Sequence, residues 1–177
     1  MENRINNEDK EYNVTKGIIR YMKLNWKKIL FFGIILFLYY LPSIIFPPIP
    51  EYYNSLKGIK LPNIAFIIAW TIIYICMSIF TTHYVFLDKE KINADVKRIY
   101  VFLVLNYVAQ ALYLPFMFYM KNLFFSYISV LVTFVTILII ALESLIVNKK
   151  ITLLTLPYIL WSIIASIISI QIYLQRM

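Results

Sequence analysis

Five long apolar stretches constrain this 177-residue chain more than any other feature. They cover approximately residues 29–46, 63–87, 99–119, 123–147 and 151–174. A transmembrane helix needs about 20 apolar residues, whereas a barrel strand needs about half as many and alternates in polarity. Helices and closed barrels are the structures that satisfy every backbone hydrogen bond in lipid. The sequence therefore predicts an all-α integral membrane protein, a bundle of five transmembrane helices.

The composition agrees with a protein that lies mostly in lipid. Hydrophobic residues make up 62% of the chain and charged residues 15%, with a mean hydropathy of +0.75, whereas soluble domains carry about 25% charged residues. No cleaved signal peptide is expected, because 28 mostly polar residues precede the first apolar stretch and no small-residue cleavage site follows it. The lone cysteine, Cys76, has no disulfide partner.

The distribution of lysine and arginine predicts the orientation of the bundle. With five spans the two termini lie on opposite sides, and 13 of the 17 Lys and Arg residues fall in the N-terminal segment, the 88–98 loop and the 148–150 turn. Positive residues concentrate on the cytoplasmic side of membrane proteins. We therefore predict a multi-pass protein of the cell membrane with a cytoplasmic N-terminus, and with its C-terminus and the 47–62 loop outside.

The chain divides into a basic N-terminal segment, residues 1–28, and a transmembrane domain, residues 29–177. In the first part Lys16, Arg20, Lys23 and Lys27 recur at helical spacing. This spacing fits an amphipathic helix lying on an anionic leaflet. The favoured interpretation is that these lysines and the arginine only enforce the topology.

Two tryptophans, Trp70 and Trp161, lie in the middle of predicted spans. Tryptophan in membrane proteins normally collects at the interface with water. Phe66 and Tyr74 share a helix face with Trp70, and Ala165 shares one with Trp161, at a spacing of four residues. These rings either fill space between helices or line a cavity that holds something flat and apolar.

A polar stripe runs along the third span, where Asn106, Gln110 and Tyr113 fall at helical spacing. Polar groups inside a membrane are costly and tend to mark function. The simplest interpretation is that the two amides form hydrogen bonds between helices. Together with a tryptophan on two other helices, the stripe also fits a small-molecule pocket with apolar walls and a few polar groups.

Other candidate sites are weaker. His83 could be an axial haem ligand, but it lies well around the helix from Trp70, and an isolated interfacial histidine is the favoured interpretation. Glu143 fits a pairing at a helix end better than a proton relay. The sequence has no Cys/His cluster, no glycine-rich phosphate loop and no nucleophile–base pair. We therefore expect no metal site and no conventional hydrolytic catalysis.

Four motifs occur in an order that resembles a known family. They are Phe46-Pro47; Tyr53-Asn54-Ser55-Leu56-Lys57 followed by Pro62 and Trp70; Leu105-Asn106-Tyr107 followed by Lys121-Asn122-Leu123-Phe124; and Pro157-Tyr158-Ile159-Leu160-Trp161 followed by Ala165. Over roughly residues 30–174 the chain resembles the bacterial type of the TspO/translocator protein family, also called tryptophan-rich sensory proteins or peripheral-type benzodiazepine receptors. The Pro-Tyr-x-x-Trp-x-x-x-Ala motif is the most specific.

The resemblance implies a five-helix bundle, commonly a homodimer, that binds protoporphyrin IX, haem or related tetrapyrroles and, in some members, sterols and benzodiazepine-type synthetic ligands. The pocket would lie between the helices, capped by the loop after the first helix, here 47–62. The ligand-binding positions that carry over are Tyr53, Leu56, Pro62, Phe66, Trp70, Tyr74, Asn106, Gln110, Trp161 and Ala165. The expected partners are a tetrapyrrole, the lipid bilayer and a second copy of the chain, with no nucleic acid.

The resemblance leaves three functions open. The first is a sensor, scavenger or regulator of tetrapyrrole levels, for which porphyrin or haem is the ligand and no cofactor is required. The second is an enzyme that degrades porphyrin with light and oxygen, with Trp70 and Trp161 as the catalytic residues. The third is a small-molecule transporter, against which the sequence shows no inverted repeat.

The chain departs from the family pattern in the 47–62 loop. The whole chain has three tryptophans, fewer than is usual in the family. In the loop, Tyr52 precedes Tyr53 at the position where the family normally has Trp. Residues 58–62 replace a tryptophan-rich stretch of the family. The sterol-type motif near the C-terminus is incomplete, because no Leu or Val lies within five residues before Tyr173. These departures leave open whether the loop caps the pocket, and they give sterol binding little support.

Overall fold

The computed structural model describes residues 26–87 and 94–175. The described helices are α1 Trp26–Ile45, α2 Pro50–Ser55, α3 Asn63–Val85, α4 Ala94–Leu114, α5 Leu123–Val147, α6 Lys149–Thr152 and α7 Leu156–Leu174. A π-helical turn, Pro115–Tyr119, extends α4, and a 3₁₀ turn, Leu153–Thr155, joins α6 to α7. Five of the resulting segments, 20 to 26 residues long, are apolar enough to cross a membrane. The predicted architecture is confirmed.

The helix ends differ from the apolar stretches by a few residues, because local capping decides where a helix stops. The helix predicted to begin near residue 99 is already helical at Ala94, the first residue described after the gap. The side chain of Asn122 accepts a hydrogen bond from the backbone N–H of Phe125 and so caps the N-terminus of α5. The predicted basic segment 1–28 lies almost entirely outside the described residues.

The bundle has a packed centre and one peripheral helix. Helix α5 packs against α4 and α7, and α3 packs against α7. Helix α1 is the most exposed span. In its apolar stretch 11% of the residues are buried, whereas 28–39% are buried in the corresponding stretches of the other four spans. It contacts the bundle through its tyrosines, since the Tyr39 ring stacks on Tyr74 and meets the edge of Tyr107.

Asn106 forms the hydrogen bonds between helices that the sequence suggested. Its side chain is fully buried, and Nδ2 donates to the carbonyl of Thr133 at 3.0 Å and to Oγ1 of Thr136 at 2.8 Å, both on α5. The hydroxyl of Ser129 donates to the carbonyl of Ala109 and adds a second link between α4 and α5. These contacts fix the register of the two most extensively packed helices.

Successive connections between the spans lie at opposite ends of the bundle, as a chain that crosses the membrane five times requires. At one end the Arg98 guanidinium donates to both carboxylate oxygens of Glu143, at 2.8 and 3.0 Å, and also pairs with Asp95. His83 lies 3.5 Å from the Asn148 amide at this same end. The 47–62 segment, the turn after Tyr119 and the end of α7 lie together at the opposite end, as their mutual contacts show.

The Asn106 contacts lead to a stability prediction. We expect Asn106→Ala to lower the free energy of unfolding by about 1–2 kcal/mol, because hydrogen bonds between membrane helices are worth roughly 0.6 kcal/mol on average and two are lost. Titration of the detergent-solubilised protein with sodium dodecyl sulfate, followed by circular dichroism, measures this. Val104→Ala, at an exposed position on the same helix, is the control. Equal losses in both variants would show that Asn106 has no special role.

Candidate functional site

A cavity of about 300 Å³ lies between α1, α3, α4 and the 47–62 segment, which we call the lid. Its walls are mainly aromatic, and the contributing rings belong to Tyr40, Tyr53, Phe66, Trp70, Tyr74, Tyr113 and Phe118. The volume falls at the low end of the range of about 300–1,000 Å³ for small-molecule sites. The apolar walls and the few polar groups are also typical of such sites.

A smaller cavity of about 40 Å³ adjoins the first. Phe66, Trp70 and Tyr113 line both, so the two cavities lie next to each other. Trp161 and Ala165 of α7 line the smaller cavity. The structure therefore brings the tryptophans of two helices to the same place.

The two indoles are in contact with each other. Their ring centroids lie 6.5 Å apart at an interplanar angle of 76°. Phe66 packs edge-on against Trp161 at 5.3 Å, and Tyr158 packs against Trp70 at 5.9 Å. The Trp161 side chain is 9% exposed, and its Nε1 finds no hydrogen-bond partner among the described residues. The two indole rings therefore fill space between the helices, and they also line a cavity.

The polar stripe of α4 divides between two roles. Gln110 lines the larger cavity, where its Nε2 donates to the Tyr74 hydroxyl at 2.9 Å and its Oε1 accepts from the Tyr158 hydroxyl at 3.3 Å. Asn106, one turn earlier, lines neither cavity and joins α4 to α5 instead. Gln110 therefore supplies the polar group at the centre of the aromatic wall.

Tyr53 connects the lid to the cavity. It is buried in α2, its ring packs edge-on against Phe66 at 5.4 Å, and its hydroxyl accepts from the backbone N–H of Leu61 at 3.4 Å. Burial raises the pKa of Tyr53 above its usual value, although the hydrogen bond from Leu61 acts in the opposite direction. The phenol is therefore neutral at physiological pH and can act as a hydrogen-bond donor.

The remaining lid positions support the site without lining it. Leu56 is buried against Ile168 and Ile172 of α7, and Pro62 precedes α3. The backbone N–H of Ile59 donates to Gln171 Oε1 at 3.3 Å, and the Tyr119 hydroxyl donates to the Pro47 carbonyl at 3.2 Å, so hydrogen bonds join the lid to the bundle. The divergent lid thus closes over one end of the bundle.

Sequence reasoning missed the contribution of α1. Tyr40, Pro42 and Ser43 line the larger cavity, and the Tyr40 hydroxyl donates to Thr71 Oγ1 at 3.2 Å across the gap between α1 and α3. The available signal was a tyrosine pair followed by a proline in the last turns of an otherwise apolar span. Nothing in the sequence indicated which neighbouring helix that end of α1 would face.

Within the described ranges, no three His, Cys, Asp or Glu side chains come together as metal ligands. His83 lines neither cavity and lies at the end of α3 away from the lid. The structure thus places the candidate haem ligand of the sequence outside the aromatic region.

Comparison with known proteins agrees with the motifs. A sequence model of the TspO/MBR family matches residues 29–174. A protein of Bacillus cereus (strain ATCC 14579) named tryptophan-rich protein TspO is 26% identical over 142 residues, which cover 77% of this chain and 88% of that protein. The range matched by the family model, residues 29–174, contains all the residues that line the two cavities.

Gly58 provides a test of the closed lid. Its φ of +122° lies where side-chain-bearing residues are strained, while an added Cβ would have ordinary room, 3.4 Å from Gln175 Oε1. Gly58→Ala should therefore cost about 1–3 kcal/mol of local backbone strain and loosen the lid. We expect faster hydrogen–deuterium exchange in lid peptides and unchanged exchange in α5. Gly33→Ala, where an added Cβ meets nothing within 4 Å, is the control, and an unaltered lid in Gly58→Ala would contradict the account.

Proposed function

Because the chain belongs to the TspO/MBR family, we propose that this multi-pass membrane protein binds a porphyrin-type tetrapyrrole in the aromatic cavity. In this function it would sense, scavenge or regulate tetrapyrroles rather than require one as a cofactor. The observation that carries the proposal is the contact between Trp70 and Trp161 at the junction of the two cavities.

The chemistry of the walls fits a flat aromatic ligand. Aromatic side chains bind other rings by offset or edge-on packing, which adds roughly 0.5–1.5 kcal/mol per pair beyond the area buried. Trp70 and Tyr74 lie one helical turn apart on α3 and both line the larger cavity. Gln110 and the neighbouring hydroxyls supply uncharged donors and acceptors for polar atoms of the ligand.

A macrocycle is wide, so we infer that the lid moves when it binds. The cavity volume of about 300 Å³ describes the closed arrangement. Helix α1, which forms one wall of the cavity, is the least buried of the five spans. Opening between α1, α3 and the lid would therefore disturb little of the packed centre formed by α4, α5 and α7.

The indole pair also favours a second function, light- and oxygen-dependent degradation of porphyrin. An indole next to an excited porphyrin can donate one electron to it, leaving an indole radical cation. The second indole, 6.5 Å away by ring centroids, could share that charge. The reduced porphyrin would pass its extra electron to dioxygen, giving superoxide, and the indole radical cation would then take one electron from the porphyrin. This transfer restores the indole, and combination of superoxide with the resulting porphyrin radical cation adds one dioxygen to the macrocycle. Transport, the third function considered, remains a prediction that no described feature favours.

The orientation is proposed from charge. We propose a location in the cell membrane with the N-terminus in the cytoplasm and the lid outside, from the excess of Lys and Arg at the opposite end. A homodimer, benzodiazepine-type ligands and the absence of a nucleic-acid partner stay predictions from the family resemblance.

Porphyrin titration with tryptophan variants tests the proposed site. We expect protoporphyrin IX to bind the detergent-solubilised protein and to quench its fluorescence, and Trp70→Phe or Trp161→Phe to weaken binding by about 3- to 10-fold through lost ring contact. Trp26→Phe is the matched control, since Trp26 begins α1 at the other end of the bundle and is 58% exposed. It should retain wild-type affinity.

Illumination of the same samples separates the two candidate functions. If the porphyrin absorbance stays constant under light and air, the protein binds porphyrin and does not degrade it. Bleaching that persists at the wild-type rate in the Trp70→Phe/Trp161→Phe double variant would remove the indole mechanism. If protoporphyrin IX does not bind at all, the proposed function is wrong.

A further inference from the structure

The larger cavity is uncharged. None of the described side chains that line it belongs to Lys, Arg, His, Asp or Glu, and its polar groups are hydroxyls and amides. A carboxylate moved into such surroundings loses its hydration and gains no opposite charge, which is strongly unfavourable. Any acidic group of a ligand held there would therefore have to reach the rim of the cavity.

The lid carries positive charge at this end of the bundle, where Lys121 also lies, 5.4 Å from the centre of the Tyr52 ring. Lys57 and Lys60 are exposed on it, and the lid has one acid within the described range, Glu51. The Lys60 ammonium donates to the carbonyl of Asn54. Asn54 directly follows Tyr53, which lines the cavity, so this hydrogen bond holds the Lys60 charge close to the rim.

The present partner of Lys60 is one that a carboxylate can replace. The lysine ammonium is charged in both cases, so both hydrogen bonds are charge-assisted. A carboxylate adds the attraction of a full opposite charge, and it therefore competes with the neutral Asn54 carbonyl. Leu61, next to Lys60, donates its backbone N–H to the Tyr53 hydroxyl. The lysine thus lies on the same short stretch of chain that closes the lid over Tyr53.

We propose that Lys57 and Lys60 form a carboxylate-binding subsite on the lid. The ligand class is then an aromatic macrocycle with acidic groups along one edge. That edge faces the lid, and the apolar edge points toward Trp161. This inference rests on the proposed function and adds to it the orientation of the ligand and a preference for the free acid over the ester.

The opposite end of the bundle offers a matched control. Lys149 and Lys150 are exposed at the start of α6, away from the lid, and neither lines a cavity. Replacing this pair by glutamine removes the same two charges as replacing the lid pair. Effects of net charge alone would appear in both double variants.

The experiment compares protoporphyrin IX with its dimethyl ester, which keeps the macrocycle and lacks the charges. Dissociation constants would be measured by absorbance titration in an uncharged detergent at low salt, for the wild type, Lys57→Gln/Lys60→Gln and Lys149→Gln/Lys150→Gln. We expect the lid variant to bind the free acid about 5- to 20-fold more weakly, as two partly exposed ion pairs would allow. Its affinity for the ester should be unchanged, which also shows that the cavity is intact.

The remaining outcomes contradict the subsite. Equal weakening of acid and ester in the lid variant would mean that the lysines only hold the lid closed. Unchanged acid binding in that variant, or the same loss in the Lys149→Gln/Lys150→Gln variant, would also overturn it. If the wild type binds the ester but shows no lysine effect, the proposed function survives without this subsite. If the wild type binds neither compound, the proposed function itself fails.

Discussion

The backbone polar groups of the spans find their partners within the protein, because the hydrocarbon core of a membrane offers no water, and the same shortage of water favours hydrogen bonds between polar side chains. This constraint explains the contacts at the centre. Asn106 of α4 donates hydrogen bonds to α5, and Gln110 bridges the hydroxyls of Tyr74 and Tyr158. It also explains how α1 is held: Pro42 lacks the N–H that would bond the Leu38 carbonyl four residues earlier, and the Tyr107 hydroxyl donates to that carbonyl at 2.9 Å.

The position of the cavity follows from the way the helices pack. Where α4, α5 and α7 meet, helix packing and hydrogen bonds leave little space, and the free volume collects between the peripheral α1, α3 and the lid. Aromatic rings from α1, α3, α4 and the lid line it, so its walls are mainly apolar. The lid closes it with a buried Tyr53 on the inside and exposed lysines on the outside. A ligand that suits both surfaces is apolar over most of its area and acidic at one edge.

The fold was predictable from the sequence because membrane thickness sets the length of each span and hydropathy marks it. The face of each helix that turns inward was also predictable where a rare polar residue marked it, as Asn106 and Gln110 did on α4. Which helix packs against each face was not predictable, because helical spacing gives a direction around one helix and does not identify the helix that lies in that direction. For this reason the contribution of Tyr40 and Ser43 was missed, and Asn106 could not be separated in role from Gln110.

The location of a bound macrocycle tests the central claim most directly. Crystals of the protein grown with zinc protoporphyrin would give the metal position from anomalous diffraction at the zinc absorption edge. The account predicts a single strong peak enclosed by α1, α3, α4 and the lid, with the macrocycle against Trp70. A peak on the lipid-facing surface or between two copies of the chain, with the aromatic cavity free of ligand, would contradict it.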